Sequence, residues 1–326
     1  MKKIVVTGGS GFIGSYLVKK LVKIGHKVTV IDNQVRGDNQ RLKSVQADIN
    51  LIDLDIRDED ALCSALKGID IVYHLAAVNG TENFYNQPDL VLDVGLRGAL
   101  SVVNGCMKQN ITELVVASSA EVYQDPKIFP TPENIPLTLP NSINPRYSYG
   151  GSKIISELIA MNYGREHFEK IQIFRPHNVY GPNMGWKHVV PQFIKRMVSN
   201  FQKNSNENFL IEGSGKETRA FAYIDDVVDG ILIMQEKGNN REIYNIGNDH
   251  EVSIIHLARV LMQILELECD IVFTEALPGG TPRRCPDLIK MRSLGYNPKI
   301  NLKEGLYKTY EWYSKNMKNN TQNSLL

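Results

Sequence analysis

Cysteine is scarce in this sequence, and it lacks both a strong excess of charge and long apolar runs. The 326 residues include four cysteines, and no two of them form a Cys-x-x-Cys pair. Cysteines at this spacing favour neither a disulfide scaffold, nor a zinc site, nor a thioredoxin-like motif. We therefore expect reduced thiols, as in a cytoplasmic protein, and no bound metal.

The charge balance argues against a nucleic-acid partner. Lysine and arginine number 37 and aspartate and glutamate 36, which leaves a net charge of +1, whereas nucleic-acid-binding proteins usually carry a basic excess or stripe. The N-terminal apolar run breaks at Gly8-Gly9, too early for a signal peptide, and no run approaches the roughly 20 residues of a membrane span. We expect a cytoplasmic protein with neither a nucleic-acid nor a membrane partner.

Short runs rich in valine and isoleucine alternate with longer amphipathic runs over the first 180 residues. This alternation predicts βαβ units and a parallel sheet covered by helices on both faces. The predicted strands lie at 3–7, 27–31, 50–54, 69–75, 114–117 and 171–174. The predicted helices lie near 12–24, 58–66, 89–108 and 147–167.

The pattern loosens after Gly181. Helices are predicted near 190–201, 224–235, 254–265 and 302–315, with short strands between them. We expect a doubly wound α/β domain over 1–180 and a smaller, mixed α/β, substrate-binding cap over 181–326, some segments of which return to the first domain. The polar end, 318–326, is expected to fray.

A glycine-rich run lies between the first predicted strand and the first helix. It reads GxGxxG from Gly9 or GxxGxxG from Gly8. Glycine permits a tight turn and lets the backbone approach a pyrophosphate, and the helix N-terminus then favours the anion. The run predicts a Rossmann-like dinucleotide site, and we assign to it Gly8, Gly11, Phe12, Ile13 and Gly14.

An acidic residue, Asp32, ends the second predicted strand, 18 residues after Gly14. A carboxylate there can accept hydrogen bonds from both ribose hydroxyls of the adenosine and would repel a 2′-phosphate. The position therefore favours NAD over NADP. Arg36 is the residue that could instead accommodate that phosphate, and we place both Arg36 and Asn33 at the cofactor site.

Three polar side chains predict a catalytic centre at the edge of the sheet. Ser119 follows the fifth predicted strand, and Tyr149 precedes Lys153 by four positions, which puts both on one face of a helix. A neighbouring ammonium group favours a phenolate and lowers the pKa of a tyrosine. Tyr149 could then take a proton from a sugar hydroxyl, while Ser119 holds the same oxygen and NAD accepts the hydride.

The ordered set of motifs resembles a known family. The motifs stand at 7–14, 55–58, 74–77, 118–123, 149–153, 175–182, 213–219 and 283–287. Together they span nearly the whole chain. They are similar to those of the extended short-chain dehydrogenases/reductases, and more narrowly to those of the nucleotide-sugar epimerase and dehydratase family.

This resemblance implies roles for the matching residues. The cofactor would be NAD, bound in part by Asp55, Ile56, Leu75, Ala76 and Ala77, with Tyr149 and Lys153 beside it. The substrate would be a nucleotide sugar, bound by Asn178, Arg219 and Arg284, and guanidinium groups suit its pyrophosphate. The resemblance also implies a homodimer in which the helices at 89–108 and 147–167 pair with their copies.

Members of this family begin by oxidising C4 of the sugar, and the fate of the ketone sets the reaction. Dehydratases typically carry an acid at the position of Ala120, and decarboxylases often carry an arginine at that of Asn183. GDP-mannose 3,5-epimerase is similar at Trp186-Lys187 and has a cysteine at the position of Glu121. A Glu121/Lys187 acid–base pair would remain chemically competent.

A 4-epimerase needs only Ser119, Tyr149 and Lys153, and it is the leading hypothesis. The alternatives are a 3,5-epimerase, a dehydratase or decarboxylase, and a non-catalytic NAD-sensing regulator. The intact Ser119, Tyr149 and Lys153 favour an enzyme over the regulator. Glu121 could instead make a structural hydrogen bond, and Lys187 could be a solvated loop lysine.

Overall fold

The computed structural model describes residues 1–202, 208–275 and 281–320. Within the described residues the strands are β1 Lys3–Thr7, β2 Lys27–Ile31, β3 Ile49–Ile52, β4 Ile71–His74, β5 Glu113–Ala117, β6 Lys170–Pro176, β7 Val179–Tyr180, β8 Phe209–Glu212, β9 Thr218–Ala220, β10 Ala222–Tyr223, β11 Glu242–Ile246, β12 Glu251–Ser253, β13 Ile271–Thr274 and β14 Arg283–Arg284. Most of the segment predicted to fray, 318–326, lies outside the described residues.

The helices alternate with these strands. In chain order they are α1 Phe12–Lys23, α2 Glu59–Ala65, α3 Thr81–Asn86, α4 Pro88–Lys108, α5 Ser148–Leu158, α6 Val189–Gln202, α7 Ile224–Lys237, α8 Ile254–Leu265, α9 Ile289–Ser293 and α10 Leu302–Asn320.

Seven strands form one parallel sheet in the order β11-β6-β5-β4-β1-β2-β3. The order reverses direction between β1 and β4, which is where a doubly wound sheet opens a crevice at the carboxyl ends of its strands. The predicted Rossmann-like fold is therefore confirmed. The strands at 3–7 and 27–31 match their predicted bounds.

Successive side chains of the sheet enter two separate cores. Ile4 and Val6 of β1 join the core that includes Leu17 of α1 and Ile231 of α7, whereas Val5 joins the core that includes residues of α2 and α4. Side chains that alternate between two helical layers require apolar residues at every position of a strand. This explains the near-continuous apolar runs in the sequence.

The boundary predicted at residue 180 does not divide the chain cleanly. Strand β11 pairs with β6 at the edge of the main sheet, and α7 packs on the same sheet. Both come from the region beyond 181, so part of that region belongs to the first domain. The rest supplies small sheets, including β12-β9-β14, which carries Arg219 and Arg284.

The predicted helix at 147–167 is shorter than expected. It begins at Ser148, its α-helical part ends at Leu158, and a π-helical turn, Ile159–Tyr163, follows. The helix ends at Gly164, because glycine is a poor helix former. A Cβ at this position would lie 2.5 Å from the ring of Phe168. The sequence also gave no signal for α3, a short helix that lies beside the site.

By length and composition alone, helix α4 could cross a membrane, whereas the sequence predicted no membrane span. In the structure it packs against α2 and α5 within the first domain. The contact with α5 is close, since a Cβ on Gly95 would lie 2.6 Å from Cβ of Ser152. Helix α4 therefore occupies the place of a core helix of the doubly wound domain.

Candidate active site

The glycine turn between β1 and α1 is closed by backbone contacts that exclude any side chain. The amide of Gly8 donates to the carbonyl of Ile31 over 2.8 Å, and Gly8 has a φ of +70°. A Cβ on Gly14 would lie 2.2 Å from the Gly8 carbonyl oxygen, and one on Gly8 would lie 2.7 Å from the amide nitrogen of Ala76. The turn therefore brings the N-terminus of α1 against the end of β4.

A cavity opens at the carboxyl ends of β1, β2 and β4. Its lining includes most of the predicted cofactor residues: Gly8, Gly11, Asp32, Asn33, Arg36, Asp55, Ile56, Leu75, Ala76 and Ala77. Phe12, Ile13 and Gly14 lie next to it in the first turn of α1. The shape, the bare glycine turn and the acidic group fit the adenosine half of a dinucleotide.

Asp32 is buried beside the glycine turn. Its Oδ2 accepts a hydrogen bond from the Ser10 amide over 2.9 Å, and its Oδ1 accepts one from the Gln34 amide over 2.8 Å. Burial raises the pKa of this carboxyl, although the two amides oppose the rise. A carboxylate has about four lone-pair sites, so each oxygen can still accept a hydrogen bond from a ribose hydroxyl.

The predicted catalytic side chains meet where β5 ends beside α5. The Nζ of Lys153 donates to the Ala117 carbonyl over 2.7 Å and lies 5.8 Å from the centre of the Tyr149 ring. The Oγ of Ser119 accepts a hydrogen bond from the Glu121 amide over 3.1 Å, at the start of a short 3₁₀ turn. Tyr149 and Lys153 are both buried.

The electrostatics of this centre differ from the sequence prediction. Burial raises the pKa of the Tyr149 phenol, and a hydrogen bond with Ser119 only partly offsets this. Burial also lowers the pKa of Lys153 to about 8, while Glu157 acts to raise it. In the protein alone the net pKa of Tyr149 is therefore raised and not lowered as predicted, because desolvation dominates.

A partly buried cluster of charges includes Glu121, which lies in the 3₁₀ turn that follows Ser119. Arg284 donates from Nη1 to Oε1 of Glu121 over 2.6 Å, and its buried Nε has no hydrogen-bond partner among the described residues. Arg219 lies opposite Arg284 in the small sheet. Burial and the neighbouring Arg284 lower the pKa of Arg219 to about 10. Two guanidinium groups with donors to spare suit a diphosphate.

Glu121 is ionised in this cluster. Burial alone would raise the pKa of its carboxyl, but the guanidinium groups of Arg284, Arg146 and Arg219 hold it below its usual range. A carboxylate in an ion pair of this kind is a poor proton donor near neutral pH.

Two other predicted residues lie elsewhere around the site. Asn178 has a φ of +40°, and its Nδ2 donates to the Ala220 carbonyl over 3.3 Å. Lys187 forms an exposed ion pair with Glu82 of α3. Glu121 and Lys187 thus each have a different ionic partner, and a joint acid–base role for them stays a prediction.

Sequence reasoning missed two sets of residues at this site. The ring of Phe84 stacks on that of Tyr149, and nothing in the sequence pattern signalled this contact. A buried ion pair joins Glu157 to Arg175. Glu157 follows Lys153 by four positions and Tyr149 by eight, so the helical spacing could have placed it on the same face.

Clusters of metal-binding side chains and disulfides are absent from the part of the chain that the structure describes. Among the described residues, no group of three or more His, Cys, Asp and Glu side chains could hold a metal ion. The four cysteines, Cys63, Cys106, Cys269 and Cys285, are free thiols.

Comparison with known proteins agrees with this geometry. The sequence model of the NAD dependent epimerase/dehydratase family matches residues 4–247. The chain belongs to this family. NAD is therefore its cofactor, and the cavity beside Asp32 is the part of the structure that fits the adenosine end.

Its relatives include several reactions. The chain is 32% identical over 328 residues to UDP-glucuronic acid decarboxylase 1 of Xenopus tropicalis, covering all of this chain and 75% of that protein. It is similar to the structure of UDP-glucose 4-epimerase of Thermotoga maritima with UDP-glucose, at a TM-score of 0.85 and 30% identity over 97% of this chain and 99% of the other.

A third similarity is to the dTDP-glucose 4,6-dehydratase DesIV of Streptomyces venezuelae with NAD and TYD bound. The TM-score is 0.86 and the identity 28%, over 97% of this chain and 98% of that one. The family is thus established, while relatives that include a decarboxylase, an epimerase and a dehydratase do not identify the specific reaction.

Proposed function

We propose that this family member is an NAD-dependent nucleotide-sugar 4-epimerase that works through a transient 4-keto sugar. The observation that carries the proposal is that Ser119, Tyr149 and Lys153 lie together where β5 ends beside α5, and that Glu121, which bonds to Ser119 through its amide, is paired with Arg284. A sugar diphosphate held by Arg219 and Arg284 would extend its sugar toward Tyr149.

The chemistry assigned to each residue follows from its position. Tyr149 takes the proton of the C4 hydroxyl, and the Ser119 hydroxyl holds the same oxygen. Bound NAD would supply the acceptor, and later the donor, of the C4 hydride. Lys153 places a positive charge near the phenol and favours its ionised form. Reduction of the ketone on its other face, with Tyr149 returning the proton to the C4 oxygen, would invert C4.

The competing acid–base mechanisms lack a free group. Ala120 is buried and has no acidic group, so it cannot protonate the hydroxyl that leaves in a 4,6-dehydration. Glu121 is paired with Arg284, and Lys187 is paired with Glu82. Inversion at C3 and C5 would need both of these groups to exchange protons with carbon. Simple C4 epimerisation needs neither.

A second candidate is decarboxylation of a nucleotide-linked uronic acid. The concentration of Arg146, Arg219 and Arg284 around Glu121 favours it, because a spare positive charge could hold a substrate carboxylate. Identity to a UDP-glucuronic acid decarboxylase points the same way. Asn183 argues against it, since this residue stands where decarboxylases often carry an arginine.

The test is turnover of a panel of sugar nucleotides in deuterated water, with mass and proton NMR analysis of the recovered sugar. In C4 epimerisation the hydrogen moves as hydride and is shielded from solvent, so we expect inversion at C4 with no carbon-bound deuterium. Deuterium at C3 or C5 that disappears in Lys187→Ala would establish the 3,5-epimerase instead. Carbon dioxide released from a uronic acid substrate would establish the second candidate.

A non-catalytic role is the remaining alternative. If the purified protein binds NAD but turns over no member of the panel, and adding a sugar nucleotide never changes the nicotinamide absorbance, the proposal is wrong. The regulator hypothesis would then replace it.

We also propose a homodimer formed through α4 and α5. Their outer faces carry apolar side chains that are 37–57% exposed, namely Leu92, Ile155 and Leu158, and Tyr163 follows them. Pairing each helix with its copy would bury this surface in a twofold contact. Light scattering at micromolar concentration should give twice the chain mass of 36.7 kDa. A monomeric mass would overturn the proposal.

A further inference from the structure

Glu157 is a fully buried carboxylate that touches both elements of the catalytic centre. It lies on α5, one turn beyond Lys153 and two turns beyond Tyr149. Its Oε1 accepts a hydrogen bond from the Ser118 hydroxyl over 2.5 Å. Ser118 directly precedes Ser119 at the carboxyl end of β5. One side chain thus connects the helix that carries the tyrosine and lysine with the strand end that leads to the serine.

The same carboxylate is held by Arg175 of β6. The Nε of Arg175 donates to Oε1 over 2.8 Å, and its Nη2 donates to Oε2 over 2.6 Å. This is a bidentate contact, the strongest and most directional form of an arginine–carboxylate pair. Both side chains are at most 6% exposed, so neither can exchange its partner for water.

Arg175 is in turn fixed by further buried groups. Its Nη1 donates to the Tyr123 hydroxyl over 2.7 Å and to the Glu133 carbonyl over 3.0 Å. The Tyr123 hydroxyl donates to Oδ1 of Asn245 over 2.8 Å. Asn245 lies on β11, the strand that the region beyond residue 181 adds to the sheet. The network therefore extends from α5 across β6 to the sheet edge.

We infer that Glu157 is a positioning residue for the reaction. It fixes the Ser118-Ser119 strand end against the face of α5 that carries Tyr149 and Lys153. A buried ion pair contributes little net stability, because the cost of removing two charges from water offsets their attraction. The three hydrogen bonds to its carboxylate, in contrast, fix the position of the Glu157 side chain. The inference depends on the proposed function only because it assumes oxidation at C4, and all the candidate reactions begin with that step.

Glu157 also favours the charged form of Lys153, against the effect of burial. The groups that face Lys153 are Tyr149 and Glu157 on its own helix, His74 on β4 and the Ala117 carbonyl on β5. Burial, followed by the charge of Lys153, lowers the pKa of His74 to about 3, so this ring is neutral. Among these groups Glu157 is the one that acts to raise the pKa of Lys153.

The first variant is Glu157→Gln, which keeps the size of the side chain and removes its charge. An amide has only one oxygen to accept from Arg175 and Ser118. We expect kcat for the substrate found in the panel to fall about 10- to 100-fold, with little change in KM. The alkaline limb of kcat should move about one pH unit lower, because the Lys153 ammonium loses a nearby negative charge.

A measurement that does not depend on turnover accompanies the kinetics. The pKa of Lys153 is followed by NMR titration of lysine labelled with ¹³C at Cε, with the signal assigned from its loss in Lys153→Arg. We expect a lower pKa in Glu157→Gln than in the wild type. If the panel yields no substrate, the proposed function fails while this titration still tests the role of Glu157.

Two controls separate positioning from mere structure. Glu242→Gln breaks the half-exposed Glu242–Lys290 ion pair on β11 of the same sheet, and it should leave kcat and the titration unchanged. Ser118→Ala removes one hydrogen bond to Glu157 but keeps the ion pair. It should lower kcat less than Glu157→Gln and leave the pKa of Lys153 unchanged.

A second variant covers the case in which Glu157→Gln does not fold, since it leaves the Arg175 charge buried without its partner. Glu157→Met combined with Arg175→Met removes both charges and keeps apolar volume, an exchange that is often neutral for stability. The loss of kcat and the lower pKa of Lys153 should recur in it. A folded variant of either kind with wild-type kcat and a wild-type Lys153 titration overturns the inference.

Discussion

The ring of Phe84 lies stacked on the ring of Tyr149, with the centroids 5.0 Å apart and the planes 12° from parallel. Phe84 belongs to the short helix α3 and is itself buried. Its contact removes water from one face of the catalytic phenol. This contributes to the burial that raises the pKa of Tyr149.

Replacing Phe84 by alanine should therefore change the pH dependence as well as the rate. Water admitted to the ring lowers the pKa of Tyr149, so the acid limb of kcat, which reports the phenolate, should move to lower pH. We expect kcat at its optimum to fall several-fold as the ring loses an aromatic neighbour worth about 1 kcal/mol. The matched control is Tyr85→Ala at the exposed neighbouring position, which should leave the pH profile unchanged.

Tyr149→Phe should abolish turnover and leave NAD bound. The change removes the proton acceptor but keeps the ring and its stack on Phe84, so the rate should fall by at least about 10³-fold. Steady-state kinetics and NAD titration by calorimetry measure the two effects. A variant that keeps near-wild-type turnover would show that Tyr149 is not the base.

Lys153→Ala should behave differently from Tyr149→Phe. Lysines at this place in the family also hold the nicotinamide ribose, so both turnover and NAD affinity should fall. A hydrogen bond to a charged group is worth about 1.5–3 kcal/mol, which corresponds to a Kd for NAD raised by roughly 10- to 100-fold. If calorimetry shows an unchanged Kd for NAD, Lys153 does not hold the cofactor and acts only through its effect on the phenol.

Asp32→Ala should weaken NAD binding and reduce the selectivity for NAD over NADP. The variant loses an acceptor for the ribose hydroxyls and the negative charge that repels a 2′-phosphate, with Arg36 left in the same cavity. We expect a Kd for NAD raised by about 10- to 100-fold and a smaller effect on NADP. Asp53→Ala, at an exposed position nearby, is the control. Equal losses for the two dinucleotides would contradict the specificity role.

The Glu121–Arg284 pair should stabilise the fold less as the pH falls, and Arg284→Met should reverse the sign of this pH dependence. In the wild type the folded-state pKa of Glu121 is lowered. Its contribution to stability is therefore present above the pKa of the unfolded chain and is lost as pH falls through the folded value. In Arg284→Met the carboxyl remains buried without its main partner, so its charged form is costly to desolvate. Protonation should remove this cost and favour folding.

Urea unfolding between pH 4 and pH 7 measures this difference. We expect Arg284→Met to be less stable than the wild type at pH 7 by about 2 kcal/mol, with the gap closing as the pH falls. Arg283→Met, which breaks an ion pair between a half-exposed arginine and Glu251, should show a smaller loss that also narrows as the pH falls, because Arg283 lowers the pKa of Glu251. A stability difference from the wild type that is independent of pH in both variants would contradict the lowered pKa of Glu121.

Local patterns in the sequence were sufficient for the parts of the site that lie on single elements. The glycine run had to form a tight turn, because three glycines stand between an apolar strand and an amphipathic helix. Asp32 ends a strand that is bound to lie beside the first. Tyr149 and Lys153 share a helix face by spacing alone. Parallel strands bring their carboxyl ends to one edge of the sheet, so these groups were expected together.

Contacts between distant parts of the chain were decided only by the tertiary structure. Arg284 and Glu121 are 163 residues apart, and Tyr123 and Asn245 are 122 apart. No periodicity connects such positions. The return of β11 to the main sheet and the stacking of Phe84 on Tyr149 are of the same kind. The burial that they create, rather than the spacing of Tyr149 and Lys153, sets the pKa values at the catalytic centre, because desolvation depends on everything packed around a group.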